Sequence, residues 1–263
     1  MENKTAIVVN DLCFSYGSHD VLKGINACIE EGKVTTIMGA NGCGKSTLFS
    51  LMTKSLTPKS GNVTLYEKDI KDLSVKSFAK KVAIVQQYNS VMNDVTVEKL
   101  VSFGRTPYRK KFGSLTKKDR IAIEQAMEDT NISHLRNREV SRLSGGQKQR
   151  VWIAMALAQG TKTLFLDEPT TYLDIRYQIE ILELVKHLNQ TKGLTIVMIL
   201  HDINQAIHYS DQIIGLKDGV VLASGDPMDV INEETIKEIY GIDLEVKDVD
   251  GKIVVMTDSK KEI

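Results

Sequence analysis

The sequence predicts an α/β fold in which a phosphate-loop core opens with an antiparallel β-subdomain and carries an inserted α-helical subdomain. Three observations predict it. The stretch Gly39-Ala40-Asn41-Gly42-Cys43-Gly44-Lys45-Ser46-Thr47 fits G-x-x-x-x-G-K-[ST] at every fixed position. It lies between a β-type run, Val34 to Met38, and a helix-type run with Leu48, Leu51 and Met52 on one face. Three further apolar runs, Val82 to Gln86, Thr163 to Leu166 and Thr195 to Leu200, each end in polar groups, as buried parallel strands do at a ligand-binding edge. From about Thr96 to Gly160 the apolar spacing becomes helical, which marks the insert.

The 263 residues suffice for a sizeable core, and 34 acidic residues balance 34 basic ones, so no global field selects for nucleic acid or an anionic membrane. The three cysteines, Cys13, Cys28 and Cys43, have no metal-ligand spacing and suit a reducing compartment. The N-terminus lacks the basic-then-apolar build of a signal peptide, and no apolar run approaches the ~20 residues that span a bilayer. A role at a membrane would therefore use another protein's spans.

In order along the chain, residues 5–9 read as a strand and Leu12 to Gly17 as a second strand ending in a turn, with Tyr16 at that end. The Tyr16 ring can stack on a purine or pack into the core. After the phosphate loop and its helix, Thr57-Pro58-Lys59-Ser60-Gly61 breaks the chain and Asn62 to Tyr66 alternates as a strand. Val97 to Val101 and Ile121 to Met127 are the first insert helices. Between them, Arg105 to Gly113 interleaves basic and aromatic residues, the composition of a docking surface or of a solvated loop. Lys148 to Gln159 is a nearly continuous helix former. Ile175 to Leu188 is an amphipathic helix with Ile175, Ile179, Leu182 and Val185 on its buried stripe. Asp202 caps a short helix, Lys217-Asp218-Gly219 and Asp250-Gly251 are hairpin turns, and the tail reads as more sheet. With no repeat or linker, the chain reads as one domain, 1–263, with the insert at about 92–160 and a β-rich tail at about 241–263.

The chemistry follows from where the polar residues fall. The glycines let successive N–H groups turn inward, and the helix starting near Lys45 adds its positive end, so phosphate oxygens fit there. Lys45 reaches the outer phosphates and the Ser46 hydroxyl ligates Mg²⁺. In Leu143-Ser144-Gly145-Gly146-Gln147, Ser144 caps a helix whose exposed N–H groups form a second anion site. Asp167 can hold Mg²⁺ through its hydration shell, while Glu168 orients or deprotonates the attacking water. The Gln87 amide can reach a metal-bound water, and His201 emerges at the same kind of strand end.

Taken in order, Gly39 to Ser46, Gln87, Leu143 to Gln147, Leu164 to Glu168, Thr171-Tyr172-Leu173-Asp174 and His201 resemble the motif set of ATP-binding subunits of ABC transporters, over about residues 7–240. The resemblance implies the ABC ATPase fold and a head-to-tail homodimer. In it, ATP is clamped between one subunit's phosphate loop and the Ser144 to Gly146 segment of the other. It implies that Tyr16 stacks on adenine, that Lys45 and Ser46 serve phosphate and Mg²⁺, and that Gln87 ligates Mg²⁺ and senses a membrane subunit. Glu168 corresponds to the catalytic glutamate, Asp174 to the aspartate that communicates across the dimer, and His201 to the histidine on the γ-phosphate. A narrower resemblance, carried by Glu168 to Asp174 and Gly104 to Tyr108, is to bacterial importers of ferric siderophores, haem and cobalamin. It implies a peripheral subunit at the cytoplasmic face, docked on an integral membrane permease and served indirectly by an extracytoplasmic binding protein, with no nucleic acid. The alternative is a soluble ABC ATPase acting on nucleic acid or ribosomes, or in iron–sulfur cluster assembly.

Overall fold

The computed structural model describes residues 4–89, 95–109 and 113–257. The chain divides into two compact units, Met1–Asp72 with Val197–Ile263, and Leu73–Ile196.

The first unit begins with β1 (Thr5–Tyr16) and β2 (His19–Glu30), followed by β3 (Val34–Gly39), α1 (Lys45–Met52), β4 (Ser60–Leu65) and β5 (Lys68–Asp69). The antiparallel opening is present as a four-stranded sheet in the order β2-β1-β4-β5. The strands expected at residues 5–9 and 12–17 are one strand, because the break at Asn10-Asp11 is a bulge: Asp11 sits at φ 43 and the register shifts between Val9 and Leu12. β2 has no counterpart in the sequence reading. Gly24 interrupts its alternation, which becomes regular only from Ile25, buried with Ala27 and Ile29. Every residue of β3 is buried, which explains its unbroken apolar and threonine content.

The second unit holds α2 (Val75–Phe78), β6 (Val82–Val85), α3 (Val97–Ser102), α4 (Lys117–Asp129), α5 (Gly145–Ala158), β7 (Thr163–Leu166) and α6 (Ile175–Lys192). β6 and β7 pair in parallel, with Val85 opposite Leu166. The helical insert is present, and its core joins Val97, Val101, Met127, Ile132, Val151 and Ala154, each fully buried. Each larger side chain among them contributes about 1.5–3 kcal/mol. The start of the expected insert, residues 92–94, lies outside the described residues. So do Lys110, Lys111 and Phe112 of the basic-aromatic stretch.

The described part of that stretch departs from expectation at Arg105. Residues Phe103–Tyr108 form a short 3-10 helix, and Arg105 is buried within it. Its Nε donates to Asp119 Oδ1 at 2.8 Å, its Nη1 donates to Ala158 O at 2.7 Å, and its guanidinium lies 4.0 Å from the Tyr108 ring centroid. Asp119 completes a capping box with Thr116 at the start of α4, and these hydrogen bonds together with Arg105 hold its carboxyl at about 2. Arg105 thus fastens the insert helices together and presents no docking surface.

The apolar stripe of α6 is also revised. Leu182 and Val185 are buried with Ile181, Leu184 and Leu188, whereas Ile175 and Ile179 are exposed, so packing covers only the later turns. α5 begins at Gly145, directly after its cap Ser144, and takes in the glycines ahead of the Lys148 to Gln159 run.

The division between units falls within β8 (Thr195–Ile199). The first unit then closes with α7 (Ile203–Tyr209), β9 (Gln212–Lys217), β10 (Val220–Gly225), α8 (Pro227–Val230), α9 (Glu233–Tyr240), β11 (Val246–Val249) and β12 (Lys252–Val255). β9 runs parallel to β3, placing Gly39 opposite Leu216. Both expected hairpin turns are found, with Asp218-Gly219 at φ 48 and 84 and Asp250-Gly251 at φ 53 and 76. Two helices without a counterpart in the expectation precede the tail at 241–263, whose described elements are β11 and β12. α8 starts with Pro227 at its first turn, and Asn232 caps α9, whose Ile236 and Ile239 are buried.

Candidate active site

In the first unit the phosphate loop is the turn from β3 into α1. Gly44 occupies the N-cap at φ 108 with no side chain capping the helix, so the first-turn N–H groups face an anion site with no competing oxygen from the cap. Gly42 lies at φ 81 and is exposed, and a Cβ placed there would meet nothing within 4 Å, so the loop is open on that side. Gly39 is confined differently: a Cβ would fall 2.3 Å from Leu216 O on the paired strand and 2.7 Å from Cys43 Sγ. Lys45 is buried and donates through Nζ to Gly39 O at 2.8 Å and Ala40 O at 2.9 Å, so the loop carbonyls hold the cation in place. Ser46 and Asn41 are exposed, Thr47 is buried, and burial pushes the Cys43 thiol above its ordinary range. A glycine-lined, open loop with a buried lysine and an uncapped helix start fits a polyphosphate chain.

Two contacts on this loop escape the sequence reading. Gly219, in the β9–β10 turn, donates its N–H to Cys43 O at 3.1 Å. Tyr240, at the end of α9, is partly buried and hydrogen-bonded to the Gly39 backbone, and burial pushes its phenol up to about 12. Both partners are some 180–200 residues from the loop, and no local pattern announces them. Tyr16 ends β1 with its ring 55% exposed, edge-on to Phe14 at 4.8 Å, so it is a surface ring and not a core one. His201 is exposed at the residue before Asp202, and the Asp202 carboxylate caps α7 by accepting from Gln205 N at 2.8 Å.

In the second unit, the residues leaving β6 and β7 come together. Asp167 N donates to Val85 O at 2.9 Å, extending the strand pairing by one residue. Glu168 follows at φ 47, a left-handed backbone that costs a side-chain residue about 1–2 kcal/mol. Gln87 Nε2 donates to Glu168 Oε2, and Thr171 Oγ1 donates to the same oxygen at 3.0 Å. Tyr172 repeats the positive φ, at 64, and its hydroxyl meets that of Tyr88 at 2.9 Å. Thr171 and Tyr172 belong to the sequence motifs without an individual role, and Tyr88 belongs to none.

The second glycine segment is built as a helix start. Ser144 caps α5, accepting from Gln147 N at 3.4 Å while Gln147 Oε1 accepts from Ser144 N at 3.2 Å. Gly145 is exposed. Gly146 is buried, and a Cβ there would lie 2.5 Å from Tyr177 Cδ1, so glycine lets α5 approach α6. Asp174 caps α6, accepting from Tyr177 N at 3.2 Å, so Asp174 and Gly146 share Tyr177 as a neighbour. Oxygen donors suited to a hard cation are present in each unit: the Ser46 hydroxyl in one, the Asp167 carboxylate and Gln87 amide in the other. Among the described residues no cluster of three or more histidine, cysteine or carboxylate side chains forms a metal site of its own.

A glycine cradle with its lysine, together with a carboxylate held by a glutamine at a buried strand end, defines a phosphate-loop nucleoside triphosphatase. The sequence pattern of the ABC transporter family matches residues 22–171, and the chain belongs to that family. It is accordingly an ATP-binding, ATP-hydrolysing cassette. It is 43% identical over 241 residues to the iron(3+)-hydroxamate import ATP-binding protein FhuC of Bacillus subtilis, covering 92% of this chain and 90% of that one. It is 42% identical to the ferric enterobactin transport ATP-binding protein FepC of Escherichia coli, over 88% of this chain and 85% of that one. The solved dimeric structure of a bacterial ABC transporter cassette superposes with a TM-score of 0.73 at 30% identity, covering 84% of this chain and 98% of that one. Among the described residues no helix is long and apolar enough to cross a membrane.

Proposed function

We propose that this protein is the ATP-hydrolysing subunit that energises import of a ferric siderophore or related iron chelate through a partner membrane permease. The observation that carries the cargo is likeness over nearly the whole chain to two import subunits for iron chelates, at 43% and 42% identity. A peripheral position at the cytoplasmic face follows, because the permease supplies the spans and an extracytoplasmic binding protein supplies the chelate. The relatives favour this reading over a soluble role in nucleic-acid or iron–sulfur chemistry.

Two copies work together, in keeping with the dimeric cassette similar to this chain, and in this reading they pair head to tail. The triphosphate lies on Gly39 to Thr47 of one copy, with Lys45 moving from the loop carbonyls to the outer phosphate oxygens and Tyr16 offering its exposed ring to adenine. Ser144, Gly145, Gly146 and Gln147 of the other copy present a helix start to the same phosphates, and Asp174 relays the state of one site to the other. Ser46, Asp167 and Gln87 would hold Mg²⁺, which when bound neutralises charge on the phosphate oxygens. Glu168 accepts a proton from the attacking water, and His201 hydrogen-bonds the γ-phosphate.

Deleting the gene and measuring uptake of radioactive iron carried by a panel of siderophores, haem and simple salts tests the reading, with Lys45→Ala as the complementation control. Loss of one chelate class, restored by the wild-type gene but not by the variant, is expected. Unchanged uptake across the panel would reject iron-chelate import.

A further inference from the structure

We infer that the hydroxyl bond between Tyr88 and Tyr172 is a latch that keeps Gln87 on Glu168 and so restrains resting turnover. The inference deepens the proposed function and rests on the role given there to Glu168.

Gln87 and Glu168 leave neighbouring parallel strands and are 81 positions apart, yet they are directly hydrogen-bonded. Glu168 Oε2 accepts from both Gln87 Nε2 and Thr171 Oγ1. A carboxylate oxygen offers two lone-pair positions, so both positions on Oε2 are taken, and Oε2, the oxygen this inference assigns to the attacking water, accepts its proton only once a donor leaves. Thr171 belongs to the same turn as Glu168, whereas Gln87 arrives from another strand end, so Gln87 is the donor whose departure opens the oxygen.

The residues next to this pair carry the latch. Tyr88 follows Gln87, and its hydroxyl lies 2.9 Å from that of Tyr172, with ring centroids 6.2 Å apart. Both rings are largely in solvent, 71% and 80% exposed, so core packing does not place them. Tyr172 also holds φ 64, a backbone conformation that tyrosine rarely adopts and that a local tie helps to maintain. The hydroxyl bond therefore bridges the two segments that carry Gln87 and Glu168, and its exposure makes it easy to open. Tyr88 and Tyr172 are positioning residues, acting through Gln87.

The test compares purified full-length wild type, Tyr88→Phe, Tyr172→Phe, the double variant and Glu168→Gln. Each phenylalanine keeps its ring and removes only the hydroxyl. Each single variant should raise the kcat of ATP hydrolysis about two- to ten-fold with KM for ATP unchanged, the range one net hydrogen bond supports. The double variant should do no more than either single one, since both break the same bond. Unchanged or lowered kcat, or additive effects, would overturn the latch. If Glu168→Gln is inactive while the phenylalanine variants run at the wild-type rate, the latch alone falls; if Glu168→Gln keeps wild-type turnover, the role of Glu168 falls and takes the latch with it.

Discussion

The phosphate loop turns on glycines, with Gly39, Gly42 and Gly44 at φ 148, 81 and 108, whereas the turn after β7 makes left-handed excursions with side chains attached, Glu168 at φ 47 and Tyr172 at φ 64. The difference follows from what each region must present. A loop that wraps phosphate offers backbone N–H groups, and any Cβ would take up the space or strain the turn. On the proposed function the turn after β7 must carry the carboxylate that activates water, so it tolerates strain of about 1–2 kcal/mol per residue. Around it, Pro169 and Thr170 are buried and Gln87 and Thr171 bond the carboxylate, which offsets that strain.

The largest break in this comparison is Glu168→Gln, which should lower ATP turnover by about 10²–10⁴-fold while leaving nucleotide affinity near wild type, because only the proton-accepting oxygen is lost. Lys45→Ala should act on the opposite quantity. Losing a charged donor at the phosphates weakens nucleotide binding by about 10- to 100-fold, readable by equilibrium titration. Two glycines then sharpen the loop's side of the comparison. Gly44→Ala combines φ 108 with a Leu22 methyl 2.6 Å from the new Cβ, and should cost about 2–3 kcal/mol in chemical denaturation. Gly42→Ala meets no atom and should cost only about 1 kcal/mol while crowding the open side of the phosphate loop, so affinity falls more than stability.

Away from both loops, Asp119 provides a pH test of the insert. Its carboxyl is held at about 2, below an ordinary 3.8, so the stability it contributes is present above about pH 4 and lost as pH falls toward 2. The loss amounts to about 2 kcal/mol. Asp119→Asn should flatten the acid limb of a stability–pH curve, since it removes that titration. The smallest expected effect is Tyr172→Gly, where relief of the left-handed backbone is offset by the lost hydroxyl bond and the freer glycine chain, leaving stability within about 0.5 kcal/mol of wild type.

The same contrast explains what was legible in the sequence. The glycine loop, the Ser144 cap, the Asp202 cap and the two Asp-Gly turns are local devices, each carried by residues a few positions apart. Gln87 and Glu168 were individually visible at strand ends, but their bond joins residues 81 apart. Tyr240 reaches Gly39 from the far end of the chain, at the close of α9, which precedes the expected β-rich tail. β2 hid behind Gly24, which interrupts its alternation, and the Asp11 bulge made β1 look like two strands. On α6 the spacing of Ile175, Ile179, Leu182 and Val185 defines a stripe, yet spacing cannot say how far along the helix neighbours extend to cover it. Arg105 shows the same limit from the other side, a basic residue in a basic stretch that is buried because Asp119 and Ala158 receive it.

The central claim is that binding resides in the glycine loop and chemistry in the strained carboxylate turn. Measuring nucleotide affinity and turnover side by side on Lys45→Ala and Glu168→Gln tests it most directly. The account predicts a crossed result, with affinity lost in the first and turnover lost at near wild-type affinity in the second. Equal loss of affinity in both, or near wild-type turnover in Glu168→Gln, would contradict it.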